Sequence, residues 1–280
     1  MIALSSTCII GPGSVDDLSE AMSLVGKVGW PHRPEDVAPA LSLGRVWRAT
    51  EQRGGNLLGL AVWWPMEPNA GRVGLVIVSP HAQGRGIGRS LMNRVLQDTG
   101  SRSLKLLATK EGQPLYENLG FKSVGRSQRH QGLFQGPPSP HESVERAGID
   151  EVAVIQKIDE QVLGVNRSEI LHHLARAGDV NVLRANGKIS GFAIVRPFGA
   201  GHLLGPLVAE NESDALVLLR ATVKPGELRV DRFTDAERLG EKLVELGLAG
   251  HETTNVMARG DWPTAESAVR GFTMASHAWG

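Results

Sequence analysis

Backbone freedom and positive charge are concentrated in one short stretch, QGRGIGR at Gln83–Arg89, directly ahead of an amphipathic run. The β-branched run RVGLVIV at Arg72–Val78 precedes it and is typical of a buried strand. A strand, a glycine-rich turn and a helix in this order make an anion site, because the first N–H groups of a helix lack acceptors and glycines let an anion approach them. We therefore expect this stretch to bind an anionic group.

Two better-known glycine-rich motifs fit the stretch poorly. Its spacing is G-x-G-x-G rather than G-x-G-x-x-G, and no acidic residue ends a following strand about 20 residues later, as dinucleotide-binding folds require. The G-K-[ST] of nucleoside-triphosphate loops is absent as well. The anion is therefore expected to belong to another kind of ligand.

The composition argues against several classes of function. The 280 residues include 30 Lys plus Arg and 30 Asp plus Glu, so no overall charge favours nucleic acid or an anionic membrane. The single cysteine, Cys8, is typical of a reducing compartment, and no stretch approaches the roughly 18 apolar residues of a membrane-spanning helix. The opening MIALSSTCIIGPGS has no basic region, so we expect a first strand there rather than a signal peptide. These features predict a soluble, cytoplasmic protein with no nucleic-acid or membrane partner.

The chain repeats itself, which predicts two copies of one domain. GNLLGLAVWWP at Gly55–Pro65 aligns without a gap on GKISGFAIVRP at Gly187–Pro197, and PLYENLGF at Pro114–Phe121 parallels EKLVELGL at Glu241–Leu248. Each half reads as a strand, two helices, three strands, a helix, a strand, a helix and a strand. We expect domains at residues 1–135 and 144–280, joined by a Pro/Ser-rich linker at about 136–143.

The two copies differ where the anion is expected to bind. After the strand Leu204–Ala209 the second copy continues as ENESDALVLLRATV, without glycine and with Glu210, Glu212 and Asp214 near the helix start. Carboxylates there suit the helix dipole but repel a phosphate. Only the first copy is therefore expected to bind the anion.

In its motifs the first half resembles the GNAT superfamily of acyl-CoA-dependent N-acetyltransferases. The family pattern [QR]-x-x-G-x-[GA] after a V-x-P strand end is matched by Gln83–Gly88 behind Val78–Pro80, and PLYENLGF is similar to a second signature with a central tyrosine. The whole chain is similar to the tandem group, in which a motif-bearing domain is followed by a degenerate one. The resemblance implies an α/β fold of two GNAT-like domains, each with a mixed, mostly antiparallel sheet flanked by helices.

The resemblance also implies acetyl-CoA as cosubstrate and gives individual residues a role. The strand before the loop would pair with the pantetheine arm through the backbone of Val76, Ile77 and Val78. The residues that would hold the pyrophosphate are Gln83, Gly84, Arg85, Gly86, Ile87, Gly88 and Arg89. For the two arginines the alternative is a solvated surface position. Thr109 stands where many family members have an asparagine that contacts CoA.

Tyr116, the single tyrosine of the chain, resembles the family's general acid, which protonates the departing CoA thiolate; its alternative role is packing. Many members also have a glutamate as general base, but RVGLVIV holds no acid. A water chain, a histidine such as His32, and an acceptor that arrives as a neutral amine are the alternatives. Trp30 and His32 lie in the segment that lines the acceptor pocket in this family.

The resemblance thus predicts transfer of an acetyl group from acetyl-CoA to a primary amine of a small-molecule or peptide acceptor, by direct attack in a ternary complex. An acyl-CoA-binding sensor or interaction protein with weak turnover is the alternative from another class. The histidines other than His32, including the pair His172 and His173, have no ligand spacing to a cysteine or an acid, so we expect no metal.

Overall fold

A computed structural model gives the fold and describes residues 8–51, 55–137, 139–264 and 267–280. The strands of the first half are β1 (Ile9–Gly13), β2 (Arg45–Thr50), β3 (Leu57–Met66), β4 (Ala70–Val78), β5 (Ser103–Ala108) and β6 (Lys122–Phe134). Its helices are α1 (Leu18–Lys27), α2 (Pro34–Leu43), α3 (Ile87–Thr99) and α4 (Gln113–Asn118). The predicted first strand is therefore confirmed from Ile9 onward, and residues 1–7 lie outside the described part.

The second half repeats this order of elements and adds one strand at its end. Its strands are β7 (Val144–Arg146), β8 (Asp179–Ala185), β9 (Lys188–Phe198), β10 (Gly201–Ala209), β11 (Gly226–Phe233), β12 (Ala249–Arg259) and β13 (Arg270–Thr273). Its helices are α5 (Val152–Leu163), α6 (Ser168–Ala177), α7 (Glu212–Thr222) and α8 (Glu237–Glu245). The predicted duplication is confirmed, whereas β13 was not predicted.

The glycines shared by the two repeats occupy equivalent places. A Cβ on Gly59 would lie 2.7 Å from the carbonyl oxygen of Ile77, and a Cβ on Gly191 would lie 2.7 Å from that of Val208. In both halves a strand carbonyl therefore approaches too closely for a side chain, which explains why the third strand of each copy keeps a glycine at this position.

The two halves share one continuous sheet of thirteen strands, in the order β1-β2-β3-β4-β5-β12-β6-β11-β13-β10-β9-β8-β7. The last long strands are exchanged between the halves. β12 pairs with β5 from Asn255–Ala108 to Arg259–Leu104, and β6 pairs with β11 from Gly226–Phe134 to Phe233–Ser127. Strand pairing therefore crosses the predicted linker in both directions, and the boundaries at residues 135 and 144 stay a prediction.

Side chains from both halves also share a core. Val62 and Trp64 of β3 belong to the same buried cluster as Ile155 of α5, Leu171 of α6 and Trp279 near the end of the chain. Within the described part of the chain, no helix is both long enough and apolar enough to span a bilayer.

Candidate active site

β4 and β5 separate from each other halfway along their length. They run parallel and pair from Ala70–Ser103 to Val73–Leu106. Beyond Val73, no other strand of the described chain pairs with β4 on this side. Leu75 has a φ of 48°, and the register between β3 and β4 shifts at this point. The last residues of β4 therefore present a backbone edge to an open slot between the two strands.

The predicted pairing residues lie along this slot. Val76, Ile77 and Val78 are the last three residues of β4, and on the other side Ile77 and Val78 pair with Leu60 and Gly59. The strand edge that faces β5 can accept an extended ligand with amide groups, because such a ligand pairs as an added strand does.

The glycine-rich turn connects this edge to α3. Gly84 and Gly86 have φ values of 76° and 77°, which side chains rarely tolerate, and a Cβ on either would meet no protein atom within 4 Å. Gly86 is the N-cap of α3 and makes no side-chain capping bond. Ile87, Gly88 and Arg89 begin the helix, so their N–H groups lack an intrahelical acceptor. The turn has the geometry of an anion site.

The side chains around the turn have separate roles. Gln83 donates from Nε2 to the carbonyl oxygen of Val78 at 3.2 Å, which fixes the turn against the end of β4. Arg85 and Arg89 are exposed at the same end of α3. A phosphate in front of the turn could be reached by both guanidinium groups, and their contact with one stays a prediction.

Thr109 lies shortly before α4, and Tyr116 lies within it. The Thr109 carbonyl oxygen accepts from the N–H of Gly112 and Gln113 at 3.1 and 2.9 Å, and its Oγ1 accepts from Gly112 at 3.2 Å. Thr109 therefore stabilises the turn that leads into α4. Tyr116 is 6% exposed and stacks edge-on against Phe121 at 6.0 Å. Burial raises the pKa of Tyr116 to about 12, so its phenol is protonated at neutral pH.

A cavity of about 320 Å³ lies between the two halves. One wall is α2 with the residues before it, and another is formed by α6, the end of β9 and the segment after β13. Its lining residues are His32, Arg33, Glu35, Asp36, Val37, Ala40, Leu75, His173, Ala177, Arg196, Pro197, Phe198, Ser276, Ala278 and Trp279. Leu75 belongs both to this lining and to the register shift in β4, so the cavity lies beside the point where β4 leaves β5.

The structure brings His32 into the cavity but not Trp30. The ring of His32 stacks edge-on against Phe198 at 5.2 Å, and Trp30 packs edge-on against His32 at 5.9 Å from outside the lining. Burial, together with the positive charge of Arg229, lowers the pKa of His32 to about 4. His32 is therefore a neutral imidazole at pH 7.

The other acidic and basic groups near His32 are mostly paired. Burial opposes ionisation of Asp36, but hydrogen bonds from Arg33 and from the N–H of Gly199 lower its pKa below the usual range. The Arg33 guanidinium donates to Asp36 at 2.7 and 3.1 Å, and Gly199 donates at 3.1 Å. The Asp36 carboxylate therefore connects α2 to the turn after β9.

Sequence reasoning missed the cavity residues of the second half. Arg196, Phe198 and Trp279 line the cavity, yet none belongs to a motif that the sequence displays. One signal was available, because the repeat alignment places Arg196 opposite the buried Trp64. A charge in place of an apolar residue on a buried strand is unusual unless a partner holds it.

The second half has an equivalent slot, but its own chain fills it. β10 and β11 pair in parallel from His202–Leu228 to Leu204–Val230, and β13 then pairs with β10 at Leu207–Thr273 and Ala209–Arg270. At the start of α7, Asn211 accepts from the N–H of Asp214 at 3.0 Å. This helix start is capped by a side chain, and the slot beside it is occupied by a strand.

Comparison with known proteins connects both halves to one family. Two family models, each described as "Acetyltransferase (GNAT) domain", match residues 42–123 and 155–271. The Bacillus subtilis protein "Uncharacterized N-acetyltransferase YitH" is 26% identical over 242 residues, which cover 83% of this chain and 84% of that one. Among the described residues no group of three or more His, Cys, Asp or Glu could hold a metal ion.

Solved structures show the same fold. A proposed acetyltransferase from Pyrococcus horikoshii superimposes with a TM-score of 0.79 at 20% identity, over 98% of this chain and 96% of that one. A tandem GNAT protein from the clavulanic acid biosynthesis pathway superimposes with a TM-score of 0.64 at 15% identity, over 93% of this chain and 100% of that one.

Proposed function

The chain belongs to the GNAT superfamily, with two GNAT domains in tandem, and we propose that its first domain transfers an acetyl group from acetyl-CoA to a primary amine. The observation that carries the proposal is the open slot beside β4, which ends at the turn Gln83–Arg89. The amides of the pantetheine arm would pair with the backbone of Val76–Val78. The pyrophosphate would then lie at the N-terminus of α3, where N–H groups are available.

This orientation places the reacting end of acetyl-CoA beside the cavity. With the pyrophosphate at the turn, the arm runs back along β4 from Val78 toward Leu75, and its thioester reaches the inner end of the slot. Leu75 lines the cavity between the domains, so we assign this cavity to the acceptor. A volume of about 320 Å³ suits a small molecule or one residue of a peptide. His32 contributes to the wall, and Trp30 supports His32 from behind.

The chemistry requires two proton transfers. The amine nitrogen bonds to the thioester carbonyl carbon and the C–S bond breaks, so the thiolate leaves with the electron pair. Tyr116 gives its phenolic proton to the thiolate and recovers one from solvent. The amine attacks in its neutral form, and its nitrogen loses one proton as the amide forms. An acceptor that arrives as an ammonium ion must lose one more proton before attack. Because its pKa is about 4, the imidazole of His32 is a weak base and accepts a proton poorly at pH 7. This favours a water chain as the base, or an acceptor that arrives as a neutral amine.

Because His32 is a weak base, a second function also has to be tested: an acyl-CoA-binding sensor with little turnover. Incubation of the full chain with acetyl-labelled acetyl-CoA and a panel of primary amines separates the two. We expect a labelled N-acetyl product that depends on the amine. Binding of acetyl-CoA without transfer to any amine would support the sensor, and absence of binding would contradict both functions.

A further inference from the structure

Arg196 is a buried cation in the wall of the acceptor cavity. It lies near the end of β9, is 4% exposed, and takes the place that Trp64 has in the first copy. Burial lowers its pKa to about 10, so the guanidinium is still charged at neutral pH. A charge in this position needs compensation, because removing a guanidinium from water without a partner is costly.

The protein provides a hydrogen-bond acceptor for only part of this guanidinium group. Nη2 donates to the carbonyl oxygen of Ala275 at 2.9 Å, which holds the group against the segment after β13. Nη1 is buried and has no hydrogen-bond acceptor in the described part of the chain. The guanidinium carbon lies 5.6 Å from the centre of the Phe198 ring, which also lines the cavity.

Two neighbouring carboxylates, Asp36 and Asp231, attract Arg196 but hydrogen-bond to other groups. Asp36 is engaged by Arg33 and Gly199, as described above. Behind Phe198, the buried Asp231 accepts from Arg229 at 2.7 Å and so is also engaged. Burial and the positive charge of Arg196 lower the pKa of His173 in the same wall, so that imidazole adds no charge at pH 7. Among the described residues Arg196 therefore forms no salt bridge, and no carboxylate hydrogen-bonds to its guanidinium.

We infer that the acceptor amine carries a carboxylate group and that Arg196 binds this carboxylate inside the cavity. The inference rests on the proposed function, because it concerns the acceptor of that reaction. A carboxylate would supply the acceptor that Nη1 lacks, through a charge-assisted hydrogen bond. The apolar part of such an acceptor would contact the rings of Phe198 and Trp279, while its amine points toward Leu75.

Matched pairs of ligands test the inference without requiring turnover. Each pair consists of an N-acetyl amino acid, which stands in for the product, and its primary amide, which has the same shape without the charge. We would use the glycine, leucine and phenylalanine pairs and measure Kd by calorimetry, with and without CoA. We expect at least one acid to bind about tenfold more tightly than its amide.

Variants of Arg196 test whether its side chain causes the preference for the acid over the amide. The acid-to-amide preference should fall below about twofold in Arg196→Gln and stay intermediate in Arg196→Lys, which keeps the charge. Arg220→Gln, an exposed arginine of α7, is the matched control and should keep the full preference. If Arg196→Gln does not fold, Arg196→Lys is the deciding variant. Its acid-to-amide preference should then be at least threefold lower than that of the unchanged protein.

Two results would overturn the inference. One is that no pair shows a preference for the acid, including the case in which no pair binds. The other is a preference that survives in Arg196→Gln or in the deciding lysine variant. Acetyl-CoA binding and acetyl transfer to uncharged amines are measured separately, so the proposed function can stand when this inference fails. The ligand pairs measured without CoA report on Arg196 even if the proposed function fails.

Discussion

The two halves contain the same slot between the fourth and the fifth strand of each copy and use it differently. In the first half β4 leaves β5 after Val73–Leu106, and the slot opens toward the glycine-rich turn. In the second half β10 leaves β11 after Leu204–Val230, and β13 of the same chain pairs into the gap. A backbone edge that can pair with the pantetheine arm can equally pair with a strand, so duplication allowed one slot to become structural.

The start of the helix that follows each slot also differs between the two halves. α3 begins at Gly86 without a side-chain cap, whereas Asn211 caps α7 and Glu212 accepts from the N–H of Leu239 at 2.8 Å. Carboxylates beside the α7 terminus also repel a phosphate. A side chain thus occupies an N–H group at the start of α7, whereas the start of α3 has no side-chain cap.

The largest effect is expected from removing the second half. A chain that ends at Ser139 loses β12 from between β5 and β6, and it loses β11 from the other edge of β6. Unpaired strands of this length promote aggregation, so we expect a fragment without cooperative unfolding and with little soluble yield. Circular dichroism and thermal unfolding of the fragment and the full chain test this. A soluble fragment that binds acetyl-CoA as the full chain does would show that the first half is self-sufficient.

The next effect concerns Tyr116 and its counterpart Leu243. Both residues accept at their carbonyl oxygen from the residue five positions later, Phe121 at 3.0 Å and Leu248 at 2.9 Å, so the two helices end alike. Tyr116→Phe keeps the ring but removes the proton, and kcat should fall by about 10²–10⁴-fold. Acetyl-CoA affinity should change little.

The measurement is kcat with a confirmed acceptor, under conditions in which chemistry limits turnover. Leu243→Tyr in the Tyr116→Phe background is the matched control and should restore nothing, because the second slot is filled by β13. A fall in kcat of less than threefold would make Tyr116 a packing residue and solvent the acid.

A smaller effect is expected at the turn. Gly86→Val forces a β-branched residue to a φ of 77° and puts its side chain where a phosphate would approach the amides, so acetyl-CoA affinity should fall by about tenfold. Gly187→Val in the β8–β9 turn is the control, since its φ of 73° and its open surroundings are similar. We expect the control to lose stability but keep its affinity. Equal losses of affinity would make the effect one of general strain.

The sequence predicted the order of elements well because that order depends on local patterns and on repetition. The alignment of Gly59 with Gly191, and of Tyr116 with Leu243, identified positions that the fold makes equivalent. The turn at Gln83–Arg89 was also predictable, since a cluster of glycines beside the start of a helix is easy to recognise in a sequence. These features are encoded within a few residues of each other.

The strand exchange and the cavity were not predictable in the same way. Periodicity indicates that β6 and β12 are strands but does not select their partners, which lie across the linker. β13 has four residues, too few for a pattern to stand out. Arg196 and Trp279 meet Leu75 only because of the sheet order, so no spacing in the sequence connects them.

The measurement that tests the central comparison most directly is a calorimetric titration of the full chain with acetyl-CoA. We expect one site per chain, because β13 fills the second slot and Asn211 caps the helix beside it. The same titration of Gly86→Val should show weakened binding at that one site. Two equivalent sites per chain, or one site that Gly86→Val leaves unchanged, would contradict the account.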